Sequence, residues 1–382
     1  MAKTSQLTTR ESEILDAYMQ TGSKRATARQ VGCQPCDVRS TIKRIESKGL
    51  APWFSGAPVP AHMSQTKTTV QVDGAGNIIQ EWKRLSPVEE LANEVVDGLC
   101  EAVKGKGKVG KRRDRKADST KICYELCLYD LHFGMYACAD ETGDEDYDTD
   151  IASKRLYGAS SDLLGRTERP DTIRIILGGD QLHADNSKNQ TPKSGHSLDV
   201  DTRISLVARK IITACREVVS MAAEIARHVE IYVIKGNHDP ESSVWLQEVL
   251  RAYYCNCDNV TVSGQHTPRK FAVWGKCLSV YAHGDQIRPD KWAQIIAAEF
   301  ARQWGQTSYR YARLGHFHHR KTIAPVALDE VSGLEVTYLS SLAAPDAWHS
   351  DGGWVGTNRG MQAFELHQDA GQISQFIHNT GA

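Results

Sequence analysis

Five apolar runs after Lys121 are each followed at once by a short polar cluster. The runs read LCLY, IRIIL, IYVIK, LSVYA and ARLG. The clusters that follow them carry side chains able to bind metal ions: Asp130-Leu131-His132, Gly178-Gly179-Asp180, Gly236-Asn237-His238-Asp239, His283-Gly284-Asp285 and His316-Phe317-His318-His319. In open α/β sheets, ligands bind outside the carboxyl ends of the strands. The pattern therefore predicts strand ends that converge on one crevice.

The same region alternates apolar runs with segments of helical periodicity. Near-continuous hydrophobic runs are typical of strands that are buried on both faces, as in α/β domains. A long helix is expected from about Asp199 to Arg227, and later runs add strands, several of them antiparallel. Residues 120–382 are therefore predicted to form an α/β catalytic domain.

The residue types in these clusters suit a pair of metal ions. Hydrolysis of a phosphoester at neutral pH needs an activated nucleophile and neutralisation of developing charge, and two metal ions about 3.5–4 Å apart provide both. A shared carboxylate can hold the ions together, and imidazole suits transition metals. A single His at a strand end is more often a structural residue, but five such clusters in one order are specific.

Residues 122–345 resemble the calcineurin-like metallophosphoesterase superfamily. The five blocks of that superfamily, D-x-H, G-D, G-N-H-D/E, H and G-H-x-H, all occur here in order. The resemblance implies a four-layer αββα sandwich and a phosphoester hydrolase that uses two divalent metal ions. Manganese is favoured by a set of oxygen and imidazole ligands without thiolate, with iron or zinc as alternatives.

The resemblance also implies individual roles. The expected ligands are Asp130, His132 and His318 for one ion, Asn237, His283 and His316 for the other, and Asp180 as the bridge between them. His238 would not bind metal but would stabilise the transition state and protonate the leaving oxygen. Asp239 would orient His238, so these two residues are the catalytic candidates.

The connection after Asp180 is long and polar, and long loops are often functional. His183 and Arg203, at the two ends of this stretch, are candidates for substrate binding, as is His319 in the last cluster. The alternative for this stretch is a solvated loop without a role in binding.

The amino-terminal residues suggest a DNA-binding unit. Residues 8 to about 50 are predicted to form three short helices, with Gly32 in the turn before the third. Arg39, Lys43 and Arg44 lie on this third helix and are the candidate DNA contacts. The pattern resembles a helix-turn-helix domain, assigned to residues 1–60. A plain helical bundle is the alternative.

Residues 61–103 are predicted to add a β-hairpin over residues 68–84, a possible wing, and an amphipathic helix over residues 87–103. Residues 104–119 then form a basic linker, with eight Lys or Arg in residues 104–116. We expect this linker to be flexible, acting either as a solubilising tether or in contact with phosphates. Residues 1–120 carry 20 Lys and Arg against 14 Asp and Glu, whereas the remaining residues carry 26 Lys and Arg against 33 Asp and Glu. This excess of positive charge favours a polyanion as the binding partner of the amino-terminal part.

Composition argues against a membrane protein, because no apolar run approaches the ~18–20 residues of a membrane span. The polar amino terminus lacks the apolar core of a secretory signal. The ten cysteines are scattered and are interpreted as reduced thiols, consistent with the cytoplasm. Proteins that fuse these two parts resemble ones carried by bacterial viruses, which would place this protein in a bacterial host cell.

Three functions remain open. The first is a metal-dependent DNA phosphodiesterase, an endo- or exonuclease similar to the DNA-repair exonucleases and recruited to DNA by the amino-terminal domain. The second is a phosphatase or a phosphodiesterase of cyclic or small nucleotides. The third is a DNA-binding regulator with an inactive metal site. DNA is the expected partner; protein partners are not indicated, and a homo-oligomer is left open.

Overall fold

The computed structural model describes residues 7–21, 23–47, 63–72, 78–87, 100–110, 119–193, 195–317, 321–323, 333–353 and 358–380. The chain divides into two compact units, Met1–Ala102 and Val103–Ala382. Each unit is described by itself. None of the helices in these residues is long and apolar enough to cross a membrane.

The first unit begins with three helices: α1 (Thr9–Thr21), α2 (Lys24–Val31) and α3 (Pro35–Ser47). They pack around a small apolar core formed by Ile14, Leu15, Ala28, Val38, Ile42 and Ile45. The three helices expected over residues 8–50 are therefore present. Gly32 ends α2 with φ 69°, in the left-handed region where glycine has no steric penalty.

Thr8 and Glu11 cap the start of α1. The Thr8 amide donates to Glu11 Oε2 at 2.8 Å, and the Glu11 amide donates to Thr8 Oγ1 at 3.2 Å. These reciprocal bonds form a capping box, which satisfies amides that lack partners in the first turn of a helix.

A β-hairpin follows in the same unit. Strands β1 (Met63–Val72) and β2 (Ile78–Pro87) pair antiparallel, with Thr69 opposite Trp82. The hairpin is longer than the predicted residues 68–84. The turn between the strands and most of the expected helix over residues 87–103 lie outside the described residues, which resume in helical conformation at residue 100.

The second unit contains, within its described part, a six-stranded and a five-stranded sheet. The first has the order β13-β12-β3-β4-β5-β6, and strands β3 to β6 are parallel. Its strands are β3 (Ser119–Leu128), β4 (Pro170–Leu177), β5 (His228–Val233), β6 (Val260–Val262), β12 (Gly360–His367) and β13 (Gly371–Asn379).

The second sheet has the order β10-β11-β9-β8-β7, with β8, β9 and β11 parallel and the two edge strands antiparallel. Its strands are β7 (Lys270–Trp274), β8 (Cys277–Tyr281), β9 (Tyr309–Leu314), β10 (Lys321–Ile323) and β11 (Glu335–Tyr338). The helices of this unit are α4 (Ala139–Thr142), α5 (Thr149–Gly165), α6 (Ile204–Ala223), α7 (Ser242–Tyr254), α8 (Trp292–Glu299), α9 (Ala301–Gln306) and α10 (Ala347–Asp351).

Three apolar clusters define the layers of this unit. One lies between the six-stranded sheet and helices α5, α6 and α7. Another lies between the five-stranded sheet and α8. The third, which includes Ile176, Tyr281 and Phe364, lies between the two sheets. The mixed α/β class is therefore confirmed, and the order is helices, sheet, sheet, helices.

Helix α6 begins at Ile204, five residues later than expected. The preceding backbone is held by the loop after β3, because the Tyr136 amide donates to the Asp199 carbonyl at 3.0 Å and the Asp201 amide donates to the Gly134 carbonyl at 2.8 Å. Hydrogen bonds between distant segments therefore override a helical pattern at this point.

Residues 104–110 also differ from expectation. The Gly105 amide donates to the Ala252 carbonyl at 2.7 Å, and the Gly107 amide donates to the Tyr253 carbonyl at 2.8 Å. These bonds attach the segment to the carboxyl end of α7, so it is not a free tether. Residues 111–118 of the expected linker lie outside the described residues.

Candidate metal centre

The predicted ligands come together at the carboxyl ends of strands from both sheets. Two groups of side chains have ligand atoms within 4.8 Å of one another: Asp130, His132 and Asp180 form one group, and Asp180, His283 and His316 form the other. Asp180 belongs to both groups. This is the arrangement that a bridging carboxylate between two metal ions requires.

Asn237 lies with the second group. Its Oδ1 atom is 2.9 Å from His283 Nε2. The same His283 nitrogen is 3.1 Å from Asp180 Oδ2, so amide, imidazole and carboxylate meet at one point. Of the seven predicted ligands, six are therefore placed together. The seventh, His318, lies outside the described residues, as does His319.

The backbone is strained at four of the predicted ligands. Asp130, His132, Asp180 and His316 have φ angles of 51°, 45°, 49° and 74°, in the left-handed region that residues other than glycine rarely adopt. Such conformations cost free energy and tend to occur at functional sites. Bonds between the two ligand loops hold the strain, since the Asp130 amide donates to the Gly179 carbonyl at 3.1 Å and the His132 amide to the Asp180 carbonyl at 3.0 Å.

Two glycines leave room for the carboxylates of Asp180 and Asp130 to lie against the neighbouring backbone. A Cβ atom on Gly236 would lie 1.9 Å from Asp180 Oδ1, and one on Gly315 would lie 2.5 Å from Asp130 Oδ2. Both distances are far below van der Waals contact, so a side chain at either position would displace a carboxylate. The glycines in the G-N-H-D and G-H-x-H blocks are therefore explained by close packing against ligands.

The charged groups of the centre are buried and strongly coupled. Burial raises the pKa of Asp130 to about 7, although the nearby His283 charge acts in the opposite direction. Burial also acts against ionisation of Asp180, but the charges of His283 and His238 outweigh it and hold the pKa of Asp180 well below its usual range. Burial opposes protonation of His283, yet the Asp180 carboxylate outweighs it and raises the pKa of His283 to about 10. Without metal, a proton on His283 therefore balances the carboxylates.

Asp239 does not contact the His238 ring as the sequence suggested. Its carboxylate accepts hydrogen bonds from the backbone amides of Asp180, Gln181, Leu182 and Gly236, at 2.7 to 3.3 Å. Burial, followed by the Asp180 charge, raises the pKa of Asp239 to about 7. Asp239 therefore links the loop of Asp180 to the loop of Gly236, and these backbone donors stabilise its buried carboxylate.

His238 is oriented by another residue. Its Nδ1 atom lies 2.9 Å from the carbonyl oxygen of His183. Because a carbonyl only accepts, this contact places the proton on Nδ1 and leaves Nε2 to exchange protons. The His238 amide also donates to Asp180 Oδ1 at 2.8 Å. The backbone of His238 is thereby attached to the carboxylate that is predicted to bridge the metal ions.

His183, a predicted substrate-binding residue, is packed among the histidines. It is 2% exposed, its Nδ1 atom is 3.3 Å from His132 Nδ1, and its ring stacks on His238 with centroids 5.4 Å apart. His183 therefore packs against the rings of His132 and His238. Arg203, the other described substrate candidate, immediately precedes α6 and is exposed.

The donor chemistry fits two divalent ions. Each of the two groups offers carboxylate oxygen and imidazole nitrogen, without thiolate, and they share one carboxylate. Such donors suit first-row transition metals, with manganese favoured by the oxygen content. The candidate centre is therefore a pair of adjacent cation sites, and the metal identity remains a prediction.

The chain is similar to several solved structures at low sequence identity. No protein-family model matches the chain, and curated proteins give no match. Among solved structures, a predicted phosphoesterase from Streptococcus pneumoniae is similar at 12% identity and TM-score 0.28, over 69% of this chain and all of that one. Vps29 with zinc from Entamoeba histolytica shows 12% identity and TM-score 0.24, over 67% and 98% of the two chains. PhoD shows 9% identity and TM-score 0.28, over 85% and 84%.

Two supporting residues were missed in the sequence. Gln181 is fully buried, and its Nε2 atom donates to the carbonyl oxygens of Leu128 and Gly179 at 2.9 and 3.0 Å. The Ser341 hydroxyl donates to the Asp130 carbonyl at 2.5 Å. The position of Gln181 directly after Asp180 was a usable signal, whereas nothing near Ser341 marks it.

A cavity of about 170 Å³ opens beside His283. Its lining includes Lys235, Arg269, Asp285, Gln286 and Trp292. Arg269 is ion-paired with Glu299, while Lys235 directly precedes the G-N-H-D block and is exposed. The cavity adjoins a predicted ligand and carries basic groups, so it can accommodate part of an anionic substrate.

The candidate DNA contacts all lie on α3 in the first unit. Arg44 Nε is 2.9 Å from Glu11 Oε1 on α1, so part of its charge is used within the helical bundle. Lys43 is exposed. A role of these residues in DNA binding remains a prediction.

Proposed function

We propose that this protein is a two-metal phosphodiesterase that cleaves DNA. The observation that carries the proposal is the sharing of Asp180 by two ligand groups, one with Asp130 and His132 and the other with His283 and His316. Two bound divalent ions would supply an activated nucleophile and neutralise charge that develops on the phosphate. Asn237 and His318 complete the proposed ligand set.

His238 is the proposed acid. Its Nδ1 contact with the His183 carbonyl fixes the ring, and its Nε2 atom holds the proton that the leaving oxygen needs. A positioned acid or base of this kind contributes about 10²- to 10⁴-fold to the rate. Asp239 acts indirectly, because it fixes the loops that carry Asp180 and His238 relative to each other.

DNA is the proposed substrate because basic elements occur in the same chain as the site. Helix α3 carries the exposed Lys43 and Arg44 and the buried Arg39, in a three-helix unit that resembles a helix-turn-helix domain. Residues 104–116 add eight Lys or Arg. A phosphodiester backbone is the polyanion that such groups bind most effectively.

A small phosphate ester is the second candidate. The cavity beside His283, at about 170 Å³, is of a size to hold part of a mononucleotide. This observation favours a nucleotide phosphodiesterase or phosphatase, which would not need the first unit for turnover.

The test is a panel of substrates offered to the full chain with Mn²⁺: linear duplex, single-stranded and circular DNA, a cyclic nucleotide and a phosphomonoester. We expect DNA hydrolysis that Asp180→Ala and His238→Ala abolish. His228→Ala, at an exposed His at the start of β5, is the matched control and keeps full activity. Turnover of the small esters with intact DNA would favour the second candidate, and DNA binding without turnover under any metal would indicate a regulator.

A further inference from the structure

The first part of the basic segment is anchored to the catalytic unit. Besides the two backbone hydrogen bonds from Gly105 and Gly107 to α7, Cys257 Sγ contacts the Gly107 carbonyl oxygen at 3.2 Å. Val103 and Val109 pack against the main apolar cluster on either side of these bonds. The segment therefore has a fixed path over residues 103–109.

The glycines in this segment are required by that path. A Cβ atom on Gly107 would lie 2.6 Å from the Tyr253 carbonyl oxygen, and one on Gly105 would lie 2.5 Å from Asn256 Nδ2. Gly105 also has φ 62°, which favours glycine. The alternation of glycine and lysine is thus not a sign of disorder here.

Solvent exposure alternates residue by residue along the segment, as glycine and lysine do. Gly105, Gly107 and Val109 are half-buried, whereas Lys106 and Lys108 between them are exposed. The docked glycines consequently leave Lys106 and Lys108 exposed to solvent, and the sequence continues with further Lys and Arg to Lys116.

We propose that docked residues 103–109 form a nucleic-acid phosphate-binding strip, in which Lys106 and Lys108 contact the backbone of the DNA. This deepens the proposed function, on which it rests for the choice of DNA as ligand. Residues 103–109 carry three lysines, Lys104, Lys106 and Lys108, on a unit whose sequence after residue 120 has more acidic than basic residues. Local positive charge on an otherwise acidic surface directs a polyanion to that place.

Docking distinguishes the strip from a tether. A segment whose backbone is already held in place loses less conformational entropy when it binds than a flexible segment does. Glu224 lies close to Gly110, so an acidic side chain flanks the strip at its carboxyl end. Binding should therefore depend on the lysines and also on the bonds that hold the glycines.

The experiment measures binding of a labelled oligonucleotide to the full chain in the presence of chelator, at several salt concentrations. For Lys106→Ala/Lys108→Ala we expect roughly tenfold weaker binding and a salt slope smaller by about two, since each phosphate contact contributes about one unit. Lys154→Ala/Lys276→Ala, which removes two other exposed lysines of the same unit, is the matched control and should bind as the unaltered chain does.

A second variant tests docking without a change of charge. Gly107→Ala clashes with the Tyr253 carbonyl and should release the strip, with binding weakened at least about threefold and a lower melting temperature. If the lysine variant binds like its control, or if Gly107→Ala unfolds the strip without loss of affinity, the proposal is overturned. If Gly107→Ala fails to fold, the binding measured for Lys106→Ala/Lys108→Ala decides whether the proposal holds.

Hydrolysis with Mn²⁺ is measured separately, so the two proposals fail in different ways. DNA that binds through the lysines but is not cut supports the strip and refutes the nuclease. DNA that is cut by the double lysine variant with unchanged affinity supports the nuclease and refutes the strip.

Discussion

The Ser341 hydroxyl and the Asp130 carbonyl are joined by a hydrogen bond of 2.5 Å, although the two residues are 211 positions apart. Ser341 Oγ also accepts a bond from the Ala343 amide at 2.9 Å. Asp130 has φ 51°, so this bond helps to hold a strained ligand in place. It connects the ligand loop after β3 to the loop that follows β11.

Ser341→Ala should therefore weaken metal binding without removing a ligand. Loss of a residue that supports a ligand typically costs about 10- to 100-fold in metal affinity or activity. Calorimetric titration with Mn²⁺ would measure this change. Ser350→Ala, whose hydroxyl donates to Thr142 away from the ligands, is the control. Equal Mn²⁺ affinity in both variants would contradict the role of Ser341.

Gly236→Ala should destabilise the fold and abolish activity, because the added carbon would meet Asp180 Oδ1 at 1.9 Å. Overpacking of this kind costs about 1–3 kcal/mol. The control is Gly158→Ala in the middle of α5, where nothing lies within 4 Å of the new carbon. That change should instead stabilise the protein by about 0.5–1 kcal/mol. Chemical denaturation measures both, and a well-folded, active Gly236→Ala would contradict the packing.

Metal binding should strengthen as pH rises from 6 to 9. Without metal, the folded pKa values of Asp130, about 7, and His283, about 10, are both raised. Both groups are thus protonated at low pH and must release a proton to bind a cation. Titrations in buffers of different ionisation enthalpy would detect the released protons. Mn²⁺ affinity that is independent of pH would contradict this.

The same shifts set the stability of the metal-free chain. Protonated His283 contributes stability that is fully present below its unfolded pKa near 6.5 and is lost as pH rises through about 10. The raised pKa values of Asp130 and Asp239 act in the same direction between about pH 4 and 7. In chelator, the midpoint of thermal unfolding should fall with rising pH, and Mn²⁺ should reverse most of that fall.

Glu125→Ala should be strongly destabilising although it lies away from the ligands. Glu125 is fully buried between Arg174 and Arg313, at 3.8 and 3.5 Å, and accepts a bond of 2.6 Å from the Tyr281 hydroxyl. Its removal leaves buried arginines without their shared carboxylate, at a cost of about 3–5 kcal/mol. Arg251→Ala, in an exposed pair with Glu248, should cost less than about 1 kcal/mol. Denaturant unfolding compares the two.

The sequence was sufficient to predict which potential ligands lie close together, but not which residues hold them in place. Apolar runs that end in polar residues predict strand ends and their convergence, since parallel strands align these ends along one edge. The six described ligands are accordingly found together. The expected contact between Asp239 and the His238 ring is not found, because side-chain direction depends on the turn after β5, which directs the Asp239 carboxylate toward four backbone amides.

Features that depend on distant segments were not predictable. The delay of α6 to Ile204 and the docking of Gly105 and Gly107 result from hydrogen bonds to residues far along the chain. Lysine and glycine in alternation are also typical of flexible linkers, so composition favoured the wrong interpretation of residues 104–110. Ser341 lacks any local pattern at all.

Each sheet contributes ligands to the second group. Asp180 follows β4 in the six-stranded sheet, while His283 and His316 follow β8 and β9 in the five-stranded sheet. A metal ion bound by all three residues would link the two sheets at one edge of the sandwich. Substitutions at the opposite end of the core between the sheets lie far from the predicted ligands. They would then change metal affinity by altering the angle between the two sheets.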